Sequence, residues 1–178
     1  MSIEAINEIV KDNLQGFVEK ASDAVAEDVK VIIGHGEQFP APESEVPSPL
    51  GPVTPYPEFS HPKFGTVTRA DIKRKLGRSA PNTPRFSTGL LMRSIHAEYG
   101  DLTGKVDASA APYADEQQEG APAGWVDEYG YTGGTVPARP FMGVSTRVYQ
   151  KIEQILKKTE AELQRDLDRV ELRMRVAA

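Results

Sequence analysis

The two ends of the chain carry apolar residues at helical spacing. Near the N-terminus the apolar positions recur at steps of three and four residues, which places them on one face of a helix. They are Ile3, Ile6, Val10, Leu14, Phe17, Ala21 and Val25. Ser2 is a suitable N-cap, and the β-branched run at residues 29–33 favours either the last helical turn or a short strand.

A second apolar stripe begins at Ser145 and continues almost to the C-terminus. No glycine or proline interrupts it after Gly143. The stripe predicts a helix of about 30 residues, roughly 45 Å long. Because this length exceeds what a small core can cover, we expect the far end of the helix to pack on another chain or to project into solvent.

Residues 40–62 contain eight of the fourteen prolines. Proline lacks a backbone N–H and restricts the residue before it, so this stretch is predicted to lack regular structure. Tyr56, Phe59 and Phe64 interleave with the prolines, and aromatic residues are uncommon in disordered linkers. We expect an extended arm that docks on a neighbouring subunit, with a disordered linker as the alternative.

The centre of the chain predicts short elements. Thr68 with Asp71 resembles a capping box and precedes a basic helix, and Ser87 is the predicted N-cap of a short element at 88–93. Residues 94–99 and 102–108 predict a β-hairpin around Gly100-Asp101. Residues 120–134 predict a glycine-rich loop anchored by aromatic side chains, among them Trp125.

Together these elements predict one α+β domain over residues 1–178. A small, mainly antiparallel sheet is packed against the N- and C-terminal helices, with a long proline-rich arm and a long C-terminal helix. The expected divisions are an N-terminal helix at 1–33, the arm or insertion at 34–66, a sheet-bearing core at 67–144 and the C-terminal helix at 145–178.

Composition argues against an enzyme. The chain has no cysteine, which excludes disulfides, thiolate metal sites and cysteine nucleophiles. Its three histidines lack metal-ligand spacing, and it has neither a phosphate-binding loop nor a nucleophile elbow. We therefore predict no catalytic residue, no metal ligand and no cofactor.

The sequence also predicts where the protein is found. The acidic N-terminus does not resemble a secretory signal, and no apolar run predicts a membrane span. We therefore expect the protein to stay in the cytoplasm or in a particle that is assembled in the cytoplasm.

Charge is distributed unevenly along the chain. Residues 63–93 carry 8 basic and 1 acidic side chains, whereas residues 94–144 carry 2 basic and 8 acidic ones. The basic patch consists of Lys73, Arg74, Lys75 and Arg78. It is interpreted as a solvated or inter-subunit surface, as the lining of a DNA channel, or as the contact surface of a nucleic-acid-binding module.

Three elements in the second half resemble a known family. Thr88-Gly89-Leu90-Leu91, followed by Ser94-Ile95, is similar to the Thr-Gly-x-Leu…Ser-Ile element of tail-completion and virion-morphogenesis proteins of tailed bacteriophages, the group that includes the phage Mu G protein. Tyr113-Ala114 with residues 117–120 is similar to the family's Tyr-Ala…Glu-x-Gly segment. Residues 136–143, Val-Pro-Ala-Arg-Pro-Phe-Met-Gly, resemble its Ile-Pro-Ala-Arg-Pro-Phe-Leu-Gly signature. The proline-rich stretch and the length of the last helix depart from the family pattern.

The resemblance implies a structural virion protein at the head–tail junction. Such a tail-completion, terminator or neck subunit joins the tail to the head connector and leaves a channel for DNA. The implied partners are further copies of the chain in a ring, expected to be a hexamer, the head–tail connector or adaptor, and the tail-tube proteins. Transient, non-specific contact with phage DNA is also implied, and contact with a membrane is not.

Five residues are candidates for contacts with such partners: Tyr56, Phe59, Trp125, Arg139 and Phe141. Within the signature, Pro137 and Pro140 fix an extended crossing. The planar guanidinium of Arg139 suits a carboxylate or backbone carbonyls, and Phe141 supplies a large apolar anchor. The alternative is an ordinary junction between a strand and a helix, with a buried phenylalanine.

Overall fold

A computed structural model describes residues 3–41, 47–53, 58–61, 63–68, 71, 74, 89–122 and 137–176. The α+β class is confirmed. The described helices are α1 (Ile3–His35), α2 (Leu90–Ser94), α3 (Ala114–Glu119) and α4 (Thr146–Val176). Among the described residues, no helix is long and apolar enough to cross a lipid bilayer.

The described strands form three separate antiparallel pairs, where the sequence predicted one small sheet. β1 (Glu37–Gln38) pairs with β2 (Gly51–Pro52), and β3 (Phe59–His61) pairs with β4 (Gly65–Val67). The longest pair is the hairpin of β5 (His96–Gly100) and β6 (Thr103–Asp107). The hairpin was predicted, but Ser94 belongs to the preceding helix, and the turn lies at Asp101-Leu102 rather than at the predicted Gly100-Asp101.

The two long helices lie side by side and run antiparallel. Lys20 in α1 forms an ion pair with Glu162 in α4, and Asp28 farther along α1 contacts Arg147 at the beginning of α4. The helical alternative for residues 29–33 is confirmed, since α1 continues to His35. Its fully buried side chains lie in its last third, where Val29, Ile32 and Ile33 enter the core.

The β5–β6 hairpin packs on the opposite side of α1 from α4. Asp101 at the hairpin turn pairs with Lys11, and Gln15 accepts a hydrogen bond from the Leu102 amide. Gly104 allows the close approach, because a Cβ there would overlap the Ser22 hydroxyl. At about 100° per residue these α1 positions face away from those that contact α4. The N-terminal helix therefore separates the hairpin from the C-terminal helix.

Two local predictions are corrected. The short helix α2 begins at Leu90 and its N-cap is Gly89, with φ of 75°, rather than Ser87. In the proline-rich stretch, the short strands β2 and β3 replace the predicted absence of regular structure. Two-residue and three-residue ladders tolerate neighbouring prolines because few backbone N–H groups are required.

A buried carboxylate connects the beginning of α4 to α1. Asp28, only 6% exposed, accepts hydrogen bonds from the Ser145 hydroxyl and from Arg147 Nε, both at 2.5 Å. Ser145 Oγ in turn accepts a hydrogen bond from the Val148 amide, so that Ser145 caps α4. A charged acceptor that receives two donors compensates for its loss of hydration.

Replacement of Asp28 is expected to loosen the contact between the two long helices. Asp28→Ala should lower the free energy of unfolding by about 2–4 kcal/mol, because Ser145 and Arg147 lose a charged partner. Urea denaturation measures this loss. Asp168→Ala on the exposed face of α4 is the control, expected to change stability by less than about 0.5 kcal/mol. Equal stability of the two variants would contradict the proposed importance of the contact.

Candidate functional site

Residues 137–145 form a junction that crosses the core between α3 and α4. The junction has no helix or strand, apart from a bridge between Ser48 and Ser145, and several of its backbone groups are paired with other segments. The Arg139 amide donates to the Gln117 carbonyl at 2.8 Å, and the Pro140 carbonyl accepts from the Phe39 amide at 2.8 Å. A chain segment that passes through a core needs such partners, because an unpaired buried amide is costly.

The Gln118 side chain holds the second half of the junction. Its Oε1 accepts hydrogen bonds from the amides of Phe141, at 2.9 Å, and Met142, at 3.0 Å. One side-chain oxygen thus takes the place that a neighbouring strand would have in a sheet. This contact connects α3 to the junction over a separation of more than twenty residues.

The three sequence elements that carry the family resemblance meet in one core. Phe141 is fully buried, and its hydrophobic cluster includes Leu91 and Ile95 from the first element and Ala114 from the second. The same cluster contains Phe39 and the buried end of α1. These motifs are distant in sequence and adjacent in space, so each contributes to packing rather than to a separate surface site.

The prediction that Arg139 and Phe141 contact a partner is wrong. Both side chains are 0% exposed, and Arg139 Nη1 donates to the Pro137 carbonyl at 3.1 Å. The alternative, a junction with a buried phenylalanine, describes the observed arrangement. The prolines on either side of Arg139 restrict the backbone, which helps to keep the segment in its buried path.

Part of the proline-rich arm contacts the chain's own junction. The Ser48 amide donates to the Val144 carbonyl, and the Ser48 carbonyl accepts from the Thr146 amide, each at 3.3 Å. Nearby, a Cβ at Gly143 would lie 2.8 Å from Phe39 Cε2, so the residue after Met142 must be small. The expectation that the arm docks on a neighbour is therefore corrected for residues 47–53, which pack within the chain.

The remaining candidate residues are described only in part. Five of them lie outside the described residues: Tyr56, Lys73, Lys75, Arg78 and Trp125. The backbone of Phe59 lies in β3, but its side chain is not among the described parts of the chain. Arg74 is exposed and forms an ion pair with Asp71 at 2.6 Å. At least one cation of the predicted basic patch is therefore paired within the chain.

The capping box predicted at Thr68 and Asp71 is confirmed. Asp71 Oδ2 accepts from the Thr68 amide at 2.9 Å and from the Thr68 hydroxyl at 2.7 Å. The Thr68 hydroxyl accepts from the Asp71 amide at 3.2 Å. The hydrogen bonds from Thr68, with a smaller contribution from Arg74, lower the pKa of Asp71 to about 2.

The hairpin brings together one group of potential metal ligands that was not predicted. His96 and Asp107 are cross-strand partners, and Glu98 follows on the same face, so that their donor atoms all lie within 4.8 Å of one another. His96 Nδ1 lies 2.8 Å from the Ser94 carbonyl and Nε2 lies 3.2 Å from Glu98 Oε1. These contacts, Ser94 first and Glu98 second, raise the pKa of His96.

No protein-family model, curated protein or solved structure matches this chain.

The Gln118 contact predicts a specific loss of stability. Gln118→Ala should lower the free energy of unfolding by about 1–3 kcal/mol, because the amides of Phe141 and Met142 lose their acceptor. Gln118→Glu retains an acceptor oxygen and should lose less. The comparison uses urea denaturation, and an alanine variant as stable as the glutamate variant would argue against the contact.

The capping box predicts a pH-dependent contact. Because the pKa of Asp71 is lowered by folding, its contribution to stability is complete above the unfolded pKa of about 3.9 and is lost as the pH falls through about 2. Carbon-13 NMR titration should find the pKa of Asp71 near 2 and should find it raised in Thr68→Ala. An unchanged pKa of Asp71 in Thr68→Ala would exclude the box as the cause.

Proposed function

We propose that this chain is a structural subunit of the head–tail junction of a tailed bacteriophage, a tail-completion or neck protein that forms a ring with its own copies. In this role it acts through shape and subunit contacts, without a catalytic centre. The family identity is supported by the three sequence elements in order before a terminal helix. The observation that carries the assembly role is an open apolar face on the pair of long helices.

This open apolar face is formed by Ile3, Leu14, Tyr149, Leu156 and Met174. Ile3 is 75% exposed, and the other four are 40–41% exposed. The first two belong to the predicted stripe of α1, and the other three lie along α4. At about 100° per residue, and with antiparallel helices, the two sets point to the same side of the pair.

The opposite side of the helix pair carries a groove. Its lining includes Ala24 and Ile155 together with lysines and carboxylates from both helices: Lys20, Asp23, Glu27, Lys151, Lys158 and Glu162. The open apolar face has no such charged border among its five named residues, and exposed apolar surface is characteristic of interaction sites. A chain whose long helices cover only part of their apolar stripes gains stability when a second protein covers the rest.

A ring requires a heterologous contact whose rotation closes after a fixed number of copies. The open apolar face supplies one surface for such a contact. The basic segment 63–93 and the acidic segment 94–144 supply opposite net charges, which would favour side-by-side neighbours. In the head–tail junction, the ring would cap the tail, join the head connector and leave a channel for DNA.

Native mass spectrometry of the full chain tests self-assembly. The wild type should form a discrete ring, alone or with the other head–tail proteins of its genome, and Leu14→Glu combined with Leu156→Glu should reduce it to monomers with unchanged circular dichroism. Leu102→Glu is the matched control, since Leu102 has the same 41% exposure but lies in the hairpin turn. That control should assemble normally.

Two results would count against the proposal. One is a clean monomer both alone and with those partner proteins. The other is absence of the chain from purified particles of the phage that encodes it. If the isolated monomer binds DNA tightly and its affinity falls steeply with salt, the nucleic-acid-binding module becomes the better assignment.

A further inference from the structure

We propose that His96, Glu98 and Asp107 form a surface binding site for one Zn²⁺ ion or a similar first-row transition ion. The site is separate from the open apolar face and does not depend on the proposed role in the virion. It consists of one imidazole and two carboxylates, a donor set that binds zinc in proteins.

The hairpin register brings the three side chains together. His96 lies opposite Asp107, and Glu98 lies two residues farther along β5, where side chains return to the same face. The donor atoms lie within 4.8 Å of one another, and Nε2 of His96 lies 3.2 Å from Glu98 Oε1. Ligands bonded to zinc at about 2.0–2.2 Å are separated by comparable distances, so small rotations of exposed side chains complete the site.

The position of Ser94 determines which imidazole nitrogen faces the carboxylate. Its carbonyl oxygen lies 2.8 Å from Nδ1 of His96 and can only accept a hydrogen bond. Nδ1 therefore carries a proton, which leaves Nε2, the nitrogen that faces Glu98 Oε1, as the one available to bind a metal ion. A backbone carbonyl that binds the second nitrogen is the usual support of a metal-binding histidine.

Asp107 is also oriented by neighbours outside the three ligands. It accepts hydrogen bonds from the Ser109 amide, at 2.9 Å, and from the Ser109 hydroxyl. Lys105 competes for the same carboxylate, with its Nζ 3.1 Å from Asp107 Oδ1. The Lys105 side chain is 67% exposed, so it can move into solvent when a divalent ion binds.

Isothermal titration of the metal-free full chain with Zn²⁺ tests the site. We expect one ion per chain at this site. The affinity should be at least about tenfold weaker in His96→Ala, which lacks one ligand. It should be about 10–100-fold weaker in Ser109→Ala, which lacks the hydroxyl that orients Asp107. Lys105→Ala should bind more tightly, because it removes the competing ammonium group. His35→Ala is the control, since His35 is also an exposed histidine but lies at the end of α1, and its affinity should match the wild type.

Thermal unfolding provides a second measurement. Zn²⁺ should raise the melting temperature of the wild type and of His35→Ala, because the ion binds the folded hairpin, and should leave His96→Ala unchanged. Equal affinity in the wild type and His96→Ala, or no detectable binding by the wild type, would overturn the assignment. His96 and Glu98 would then form an ordinary ion pair.

Discussion

The fold depends on the passage of residues 139–142 through the core without a helix or a strand to satisfy their backbone groups. Each buried amide in this stretch needs an acceptor from elsewhere. Gln117 and Gln118 at the end of α3 supply them, and the Pro140 carbonyl is used by Phe39. These contacts connect α3, the chain after α1 and the start of α4. The Phe141 side chain can then fill the centre of the core.

The long helices show what the spacing of apolar residues predicts and what it does not predict. Steps of three and four residues predicted both helices, because that spacing follows from helical geometry alone. The same steps could not identify which part of each stripe is covered. Val29 and Ile32 are buried by short elements from the centre of the chain, whereas Leu14 and Leu156 remain 41% exposed. Burial depends on contacts between distant segments, which a local pattern does not contain.

Local chemistry was predictable where the partners are close in sequence. The capping box of Thr68 and Asp71 joins residues three apart, and the β5–β6 hairpin joins adjacent segments. The contact of Asp28 with Ser145 spans more than a hundred residues and gave no sequence signal. The His96, Glu98 and Asp107 group lies between these cases. Spacing along the chain did not reveal it, and the predicted turn at Gly100-Asp101 would have paired position 96 with position 105. The observed turn lies one residue later, at Asp101-Leu102, and places His96 opposite Asp107.

The burial of the signature changes what the family resemblance can mean. Arg139 and Phe141 are inside the fold, so conservation of their residue types between this chain and the phage proteins would preserve a core and leave the outer surface free to differ. If the chain has the proposed function, the number of subunits in the ring and the choice of partner must then depend on surface features. The features that depart from the family pattern are the proline-rich stretch and the extended last helix. Because the helix contributes Leu156 and Met174 to the open apolar face, we expect this departure to determine which neighbour the subunit accepts.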